Sequence, residues 1–523
     1  MTAPTRFLGE LADRLGAVVA PGLRERAVGG IEYDSRRVGP GSVFVAISGG
    51  HTDGHDFVRG AADSGAAAAI VERPVAGAAL PQIVVADTRI ALAVAAAWWY
   101  RDPSLELGIV GVTGTDGKTT TSFLATAVLE AAGISTGLIT TAAVKVGTER
   151  VANPEHVTTP QAPELQAKLR EMVAAGNEAA IVESTSHGLA LHRVAEIAYD
   201  VAIFTNLTHE HLELHGTFEA YRAAKVSLFE RIGRRPGGLP VTKTLPRPWP
   251  RTAIVNADDP SASHFADAAR AAGARVLTYG VAAPADVTAG PIAEDARGLR
   301  FEAATPRWRG AVALQLAGRF NVSNALGAIA LGEALELPPD TIRSGLARLS
   351  GVPGRMVRID LGQPFGVIVD YAHSPAALEK VLDVLAPVAA PGSGLIAVFG
   401  SAGERDIQKR PIMGRVAGER CRLVIVTDED PRGEDPELIL DEIAAGAEAA
   451  GKRRGETVLT IVDRPTAIAE AFARARPGDV VLLAGKGHEQ SIITASGPID
   501  WDEKAEAIRA LKGLGYTSGD GNR

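Results

Sequence analysis

"GVTGTDGKTTTSFL" occupies residues 111–124 of a 523-residue chain. An apolar run, "LELGIVGV" (105–112), leads into it, and a helical pattern, "TTTSFLATAVLEAAG" (119–133), leads out. Strand, glycine turn and helix start together form the context that a phosphate-binding loop needs. Backbone N–H groups at the helix N-terminus face an anion, Lys118 adds a point charge, and Thr119 can offer a hydroxyl to Mg²⁺. The spacing is a variant, because the pattern G-x-x-x-x-G-K-[ST] wants glycine where Val112 stands. The candidate nucleotide contacts are therefore Gly114, Thr115, Asp116, Gly117, Lys118, Thr119 and Thr120. A plain βα-turn that happens to carry a surface lysine is the competing reading.

Around this loop, short apolar runs alternate with helical patterns. "ISTGLIT" (134–140), "EAAIVES" (178–184) and "VAIFTNL" (201–207) read as buried strands, with helices expected over 119–132 and 162–175. Such alternation predicts a parallel sheet covered on both faces. Before it, "GSVFVAI" (41–47), "AAAAIVE" (66–72) and "PQIVVAD" (81–87) read as strands, "IALAVAAAWWY" (90–100) as a buried helix, and "RDPS" (101–104) as a linker. A third block shows the same texture in "FGVIVDY", "GLIAVFG", "CRLVIVTD" and "DVVLLAG". The stretch "RRPGGLPVTKTLPRPWPR" (234–251) is too rich in proline for helix or central strand and is expected to be an exposed loop. The tail "YTSGDGNR" (516–523) is expected to be disordered.

Composition narrows the class. At 46% hydrophobic and 22% charged residues the chain is an ordinary globular protein, too long for one core. A net charge of −8 without a strongly basic surface argues against nucleic acid as a partner. The single cysteine, Cys421, excludes an internal disulfide framework and a cysteine-based zinc site. No apolar signal core or span-length apolar run is seen, so no membrane association and a cytoplasmic location are expected.

The loop T-G-T-x-G-K-[ST] resembles that of the Mur ligases and the related folylpolyglutamate synthetases. Further segments extend the resemblance in family order: "DSRRVGPGSVFVAISGGHTDGHDFV" (34–58), "TTP" (158–160), "ESTSHGLALHRV" (183–194), "TNLTHEHLELHGTFEAYRAAKVSLF" (205–229), "NADDP" (256–260), "LAGRFNVSNALGAIA" (316–330), "GVPGRM" (351–356), "DYAHSP" (370–375), "GERDIQKRP" (403–411), "DEDPR" (428–432) and "GKGHE" (485–489). Together they are similar to the tripeptide-synthetase branch of the Mur ligase family. The resemblance implies an α/β protein of three domains: a mixed α/β uridine-binding domain (1–106), a central P-loop ATPase domain with a parallel sheet (107–350) and a Rossmann-like amino-acid-binding domain (351–523).

It also implies an activity. ATP would phosphorylate the glutamate carboxylate of UDP-MurNAc-L-Ala-D-Glu, and an amino acid would displace the phosphate, a step of peptidoglycan precursor synthesis that serves cell shape and division. The family pattern carries Lys118, Glu183, His211 and Lys225 over as catalytic, with Thr119, Glu183, His211 and Lys225 holding Mg²⁺ and Lys225 bearing a CO₂-derived carbamate. Asn321, Arg355, Asp370 and His373 would address ATP. Tyr33, Ser35, His51 and Thr52 would contact uridine, and Thr158, Thr159, Thr185 and Arg193 the muramoyl-peptide. His187 and His209 are expected to be structural or solvent-exposed. A monomer acting on small-molecule substrates is expected.

The amino-acid pocket falls to Arg405, Glu429, Asp430, Arg432, Gly485 and Glu489. The diaminopimelate-adding branch carries D-N-P-R, and here the tetrapeptide is Glu429-Asp430-Pro431-Arg432. Arg432 can grip a distal carboxylate and favours diaminopimelate, whereas the extra acid at 430 would suit lysine or ornithine. Other departures are Leu191 for a glutamine, Glu210 and Glu213 for aspartates, and Asp502-Glu503-Lys504 for D-R-E. A diverged paralogue, a folylpolyglutamate-type ligase, a silent UDP-precursor-binding homologue and a generic P-loop ATPase are the alternatives.

Overall fold

The computed structural model describes residues 6–49, 52–153, 157–208, 212–234, 242–295 and 298–517. These form two compact units. One comprises the chain to Gly290 with Glu302–Ala311 and Val322–Leu346, and the other comprises Pro291–Phe301, Val312–Asn321 and the chain from Ala347.

Besides the short antiparallel pair Arg6–Phe7 with Ala27–Val28, the first unit holds a four-stranded sheet and strands of a larger one. Strands Gly30–Glu32, Ser42–Val45, Ala68–Val71 and Gln82–Val84 pair in that order, all parallel. Helix Thr88–Trp99 is the alanine-rich run read as buried; Asp87 caps it by accepting from the N–H groups of Arg89 and Ile90. The small alanines let it pack closely on this sheet, with Ala91, Ala95 and Trp98 in the shared core.

The larger sheet begins with strands Thr136–Ile139, Ala179–Glu183, Gly108–Thr113, Val201–Phe204, Thr252–Asn256, Arg275–Gly280 and Val287–Ala289 as parallel neighbours in that order. Its beginning departs from the all-parallel expectation. Ala143–Val146 and Glu149–Ala152 form a hairpin that adds to Thr136–Ile139 antiparallel. A two-strand hairpin can join a sheet edge without a crossover helix, and antiparallel pairing recurs at the other end of the sheet, where Val287–Ala289 pairs with Gly298–Ala304. Strand Gly108–Thr113 is buried along its whole length. Each fully buried Val or Ile of such a strand contributes roughly 1.5–3 kcal/mol.

The described part of the proline-rich stretch is irregular and in part exposed, as expected, but it is also anchored. Lys243 Nζ donates to Leu107 O at 3.0 Å, Ala198 O at 2.6 Å and the Asp200 carboxylate at 2.5 Å. Asp200 also accepts from the Ile109 N–H at 2.7 Å. The Trp249 ring lies flat against Gly108, so closely that a Cβ there would come within 2.0 Å of it. Proline does forbid helix here, but an extended strap can still be pinned by one lysine and one tryptophan. Residues 235–241 lie outside the described set.

In the second unit, strands Val357–Ile359, Gly366–Val369, Val480–Leu483, Leu395–Phe399, Cys421–Val426 and Val458–Thr460 form one sheet in that order, parallel apart from the first pair. Separate apolar clusters cover its two faces, one including Leu382, Met413 and Ile443, the other Ile468, Phe472 and Leu511. This is the Rossmann-like layering expected from the sequence. Tyr516 is a correction to the disordered tail, since its ring meets Phe365 edge-on at 6.1 Å. Residues 518–523 lie outside the described set. Glu503, one of the departures in sequence, forms a fully buried pair with Arg464 at 2.7 Å and accepts from the Trp501 indole, and Asp502 caps helix Glu503–Gly513. Burial lifts the Cys421 thiol to about 12, so it is an inert core residue. No described helix is long and apolar enough to cross a membrane.

Removing Lys243 would leave the Asp200 carboxylate buried without its cation. We expect Lys243→Met to lower stability by about 3 kcal/mol, with Lys243→Met/Asp200→Asn recovering much of the loss, as read from urea unfolding.

Candidate active site

The glycine loop lies at the C-terminal end of Gly108–Thr113, the strand from which successive connections run to opposite sides of the sheet. Open α/β sheets place ligands at such a switch point. The helix that follows runs Lys118–Ala131. Its first N–H groups have no acceptor within the helix and point out of its start. Gly114 and Gly117 take φ of +147° and +79°, and a Cβ would meet Thr205 Oγ1 at 1.9 Å or Asn324 Oδ1 at 2.3 Å. The turn therefore needs glycine at both places.

Side chains from the neighbouring elements hold the loop in shape. Thr115 N donates to Asn206 O at 2.7 Å, and Asp116 N to Asn206 Oδ1 at 3.0 Å. Thr205 Oγ1 and Asn206 Nδ2 both donate to Asp116 O. Lys118 Nζ donates to Thr115 O at 2.7 Å, folding over the loop. Thr120 is buried in the first helical turn.

Glu183 ends the adjacent parallel strand, in register with Val112. It is 1% exposed. Thr119 Oγ1 donates to it at 2.9 Å, and the N–H and hydroxyl of Thr141 donate at 3.1 and 3.2 Å. These donors are neutral, so a buried carboxylate is left in need of a positive charge. An acceptor-only carboxylate beside a threonine hydroxyl is an oxygen donor set that fits Mg²⁺. No larger cluster of potential metal ligands exists among the described residues. His211, together with His209 and Glu210, lies outside the described set, as does His51 of the uridine segment.

Lys225 is placed differently. It is 2% exposed and donates from Nζ to Gly114 O at 2.7 Å, with the ammonium 4.6 Å from the Tyr221 ring centre. Tyr221 in turn shares a hydrogen bond of 2.9 Å with Thr115 Oγ1. Both lie one turn apart on helix Phe218–Glu230, so a single helix face grips the glycine loop twice. The Lys225 ammonium thus bonds to the loop backbone, while Thr119 and Glu183 meet directly. Thr141 and Tyr221 were not singled out in the sequence. The signal for Tyr221 was its spacing of four from Lys225; Thr141 offered only its place after a strand.

The muramoyl candidates form a hydrogen-bonded chain around Glu183. Thr158 Oγ1 meets Thr141 Oγ1 at 2.7 Å, Thr159 Oγ1 donates to Glu183 O at 2.9 Å and meets Thr185 Oγ1 at 3.0 Å. Arg193 Nη1 donates to Thr159 O at 2.9 Å, and its Nε is buried without an acceptor. Burial lowers the Arg193 guanidinium, so an anionic group is its natural partner. Tyr33 OH donates to Glu164 at 3.3 Å, Ser35 opens a short helical turn capped by Asp34, and Thr52 is exposed. His187 is half-buried, its ring edge-on to that of His215.

The remaining candidates lie in the second unit. Asn321 Nδ2 donates to Ala317 O at 2.7 Å. Asp370 accepts from the N–H groups of Met356 and Ala372, each at 2.8 Å. The Arg355 guanidinium stacks on Tyr371 at 4.8 Å, and His373 Nδ1 meets Tyr371 O at 2.9 Å. Glu429 is buried, Oε2 has no hydrogen-bond partner, and a Cβ on Gly485 would approach it within 2.6 Å. Burial raises the Glu429 carboxyl. Asp430 and Arg432 both attach to Ile493, through its N–H at 3.0 Å and its carbonyl at 2.9 Å. Arg405 is exposed.

The fold and loop define a nucleotide-dependent α/β enzyme with a carboxylate poised at the helix start. Residues 27–100 match the Mur ligase family catalytic domain, 112–332 the Mur ligase middle domain, and 354–487 the Mur ligase glutamate ligase domain. The chain belongs to the Mur ligase family. It is 50% identical over 493 residues to the UDP-N-acetylmuramyl-tripeptide synthetase of Roseiflexus sp. (strain RS-1), covering 94% of this chain and 95% of that protein. It is 40% identical over 486 residues to the UDP-N-acetylmuramoyl-L-alanyl-D-glutamate–2,6-diaminopimelate ligase of Geobacillus kaustophilus (strain HTA426), covering 93% and 95%. A solved structure of a UDP-N-acetylmuramoyl-L-alanyl-D-glutamate–2,6-diaminopimelate ligase matches with a TM-score of 0.65 at 29% identity, covering 98% of this chain and 100% of the other.

Tyr221→Phe removes one of the two bonds that helix Phe218–Glu230 makes to the loop. We expect a loss of about 1 kcal/mol, seen as a roughly fivefold higher Kd for ATP in calorimetry with an unchanged fold.

Proposed function

We propose that this chain is an ATP-dependent acid–amino-acid ligase that adds meso-diaminopimelate to UDP-N-acetylmuramoyl-L-alanyl-D-glutamate in peptidoglycan precursor synthesis. The observation that carries the reading is the contact of Thr119 with buried Glu183 beside Lys118 at the mouth of the glycine loop. Activating a carboxylate with ATP brings two anions together, and the reaction needs positive charge fixed where negative charge builds up. Lys118 and the helix start supply part of it. Thr119 and Glu183 would hold Mg²⁺, with His211 as a further ligand, and the ion would neutralise charge on the triphosphate.

The glutamate carboxylate oxygen attacks the γ-phosphorus and ADP leaves. The amine of the incoming amino acid then attacks the acyl carbon, and phosphate departs as the amide forms. Tyr33, Ser35, His51 and Thr52 would bind uridine, and Thr158, Thr159, Thr185 and Arg193 the muramoyl-peptide. Asn321, Arg355, Asp370 and His373 would serve ATP, and Arg405, Glu429, Asp430, Arg432, Gly485 and Glu489 the amino acid. Diaminopimelate is favoured over lysine and ornithine by Arg432, whose Nε is buried without an acceptor among the described residues. A second carboxylate on the amino acid would satisfy it. Lys225 is the proposed carbamate site: its neutral amine adds to CO₂ with loss of a proton and becomes an anion. The domain limits proposed are 1–106, 107–350 and 351–523, in a monomeric cytoplasmic enzyme.

Incubation with the UDP-dipeptide, ATP, Mg²⁺ and a mixture of diaminopimelate, lysine and ornithine should give one tripeptide product, with the mass of the diaminopimelate adduct. Lys118→Ala should lower its rate at least about a hundredfold; undiminished synthesis would refute the reading. Equilibration with ¹³C-bicarbonate should give a carbamate carbon signal in the NMR spectrum that Lys225→Arg abolishes.

A further inference from the structure

Lys486 has no part in the reading above, yet it is 0% exposed and lies among the acids of the amino-acid pocket. Its Nζ donates to Asp430 Oδ1 at 2.8 Å and pairs with Glu489 Oε2 at 2.5 Å. Both partners are also held elsewhere. Asp430 Oδ1 accepts the Ile493 N–H at 3.0 Å, and Glu489 Oε1 accepts the Tyr371 hydroxyl at 3.2 Å. Glu429 lies in the same cluster, buried and with Oε2 lacking a hydrogen-bond partner. A buried ammonium is costly unless it is paired, and here it is paired twice.

The arrangement changes how the acid at position 430 must be counted. Read from sequence, Asp430 adds negative charge and should draw a purely cationic amino acid. In the folded chain that charge is taken up by Lys486. We infer that Lys486 is a specificity-determining positioning residue, which by pairing with Asp430 and Glu489 keeps the pocket from selecting lysine and so favours an amino acid that brings a second carboxylate. The inference rests on the ligase reading given under Proposed function. Diaminopimelate is a zwitterion with as many carboxylates as ammonium groups, whereas lysine carries an excess cation. The difference in binding between them is therefore set by the net charge of Glu429, Asp430, Glu489, Lys486 and Arg432. Specificity is a difference of two affinities, and an unbalanced pocket charge moves that difference directly.

The test is a competition in the full-length protein. Wild type, Lys486→Met, Asp430→Asn and the double variant each receive UDP-dipeptide, ATP, Mg²⁺ and equimolar diaminopimelate and L-lysine, and the ratio of the two products is read by mass spectrometry. Lys486→Met leaves acids in excess and should shift the ratio towards lysine by about tenfold or more. Asp430→Asn leaves Lys486 with one acidic partner and should shift it the other way. The double variant should return towards the wild-type ratio. A purely structural role would lower both products alike and leave the ratio unmoved. An unchanged ratio in Lys486→Met would overturn the inference. Where that variant fails to fold, a ratio in Asp430→Asn that is unchanged or moves towards lysine does so instead. A wild-type chain that made neither product would overturn the ligase reading itself, and this inference with it.

Discussion

Among the described residues the buried Glu183 carboxylate is held by neutral donors alone, and burial without a cation is costly for such a group. The hydroxyls of Thr119 and Thr141 and the Thr141 N–H bond to its oxygens but bring no positive charge. The sheet makes this arrangement rigid: Glu183 sits at the end of a strand in register with the strand that feeds the glycine loop. The loop, the helix start and the carboxylate are therefore fixed relative to one another before any ligand arrives. Preorganisation of that kind spares the reaction a reorganisation cost at the moment when charge develops.

The glycine loop is braced from its other side by helix Phe218–Glu230. Lys225 and Tyr221 reach the same loop from successive turns, one through a carbonyl and one through a hydroxyl. In the carbamate form proposed for Lys225 the nitrogen would keep one N–H for the Gly114 carbonyl, while the added carboxylate would bring negative charge beside the loop. At the opposite end of the same strand, the Lys243 strap closes the sheet against solvent with one buried ion pair and one tryptophan face.

Much of the fold was legible. The strands around residues 108–113, 179–183 and 201–204 were marked by short apolar runs, and the helix after the loop was placed within a residue or so because the glycines and the change of period coincide. The 234–251 stretch was read correctly as irregular, but its anchoring was not legible, because proline content speaks to backbone conformation while anchoring depends on where Lys243 and Trp249 meet distant chain. Tyr516 misled for the same reason: polar neighbours concealed an aromatic partner at Phe365.

The candidate site divides along the same line. The sequence alone established the loop, its lysine and threonine, and the acid at the end of a neighbouring strand, because these depend on local pattern and on strand alternation. Only the tertiary structure decided what Asp430 contributes, that Thr141 completes the cage around Glu183, and that Tyr221 braces the loop. Each of these is a pairing between residues far apart in the chain, and the charge or hydrogen bond that reaches a ligand is what remains after such pairings are made.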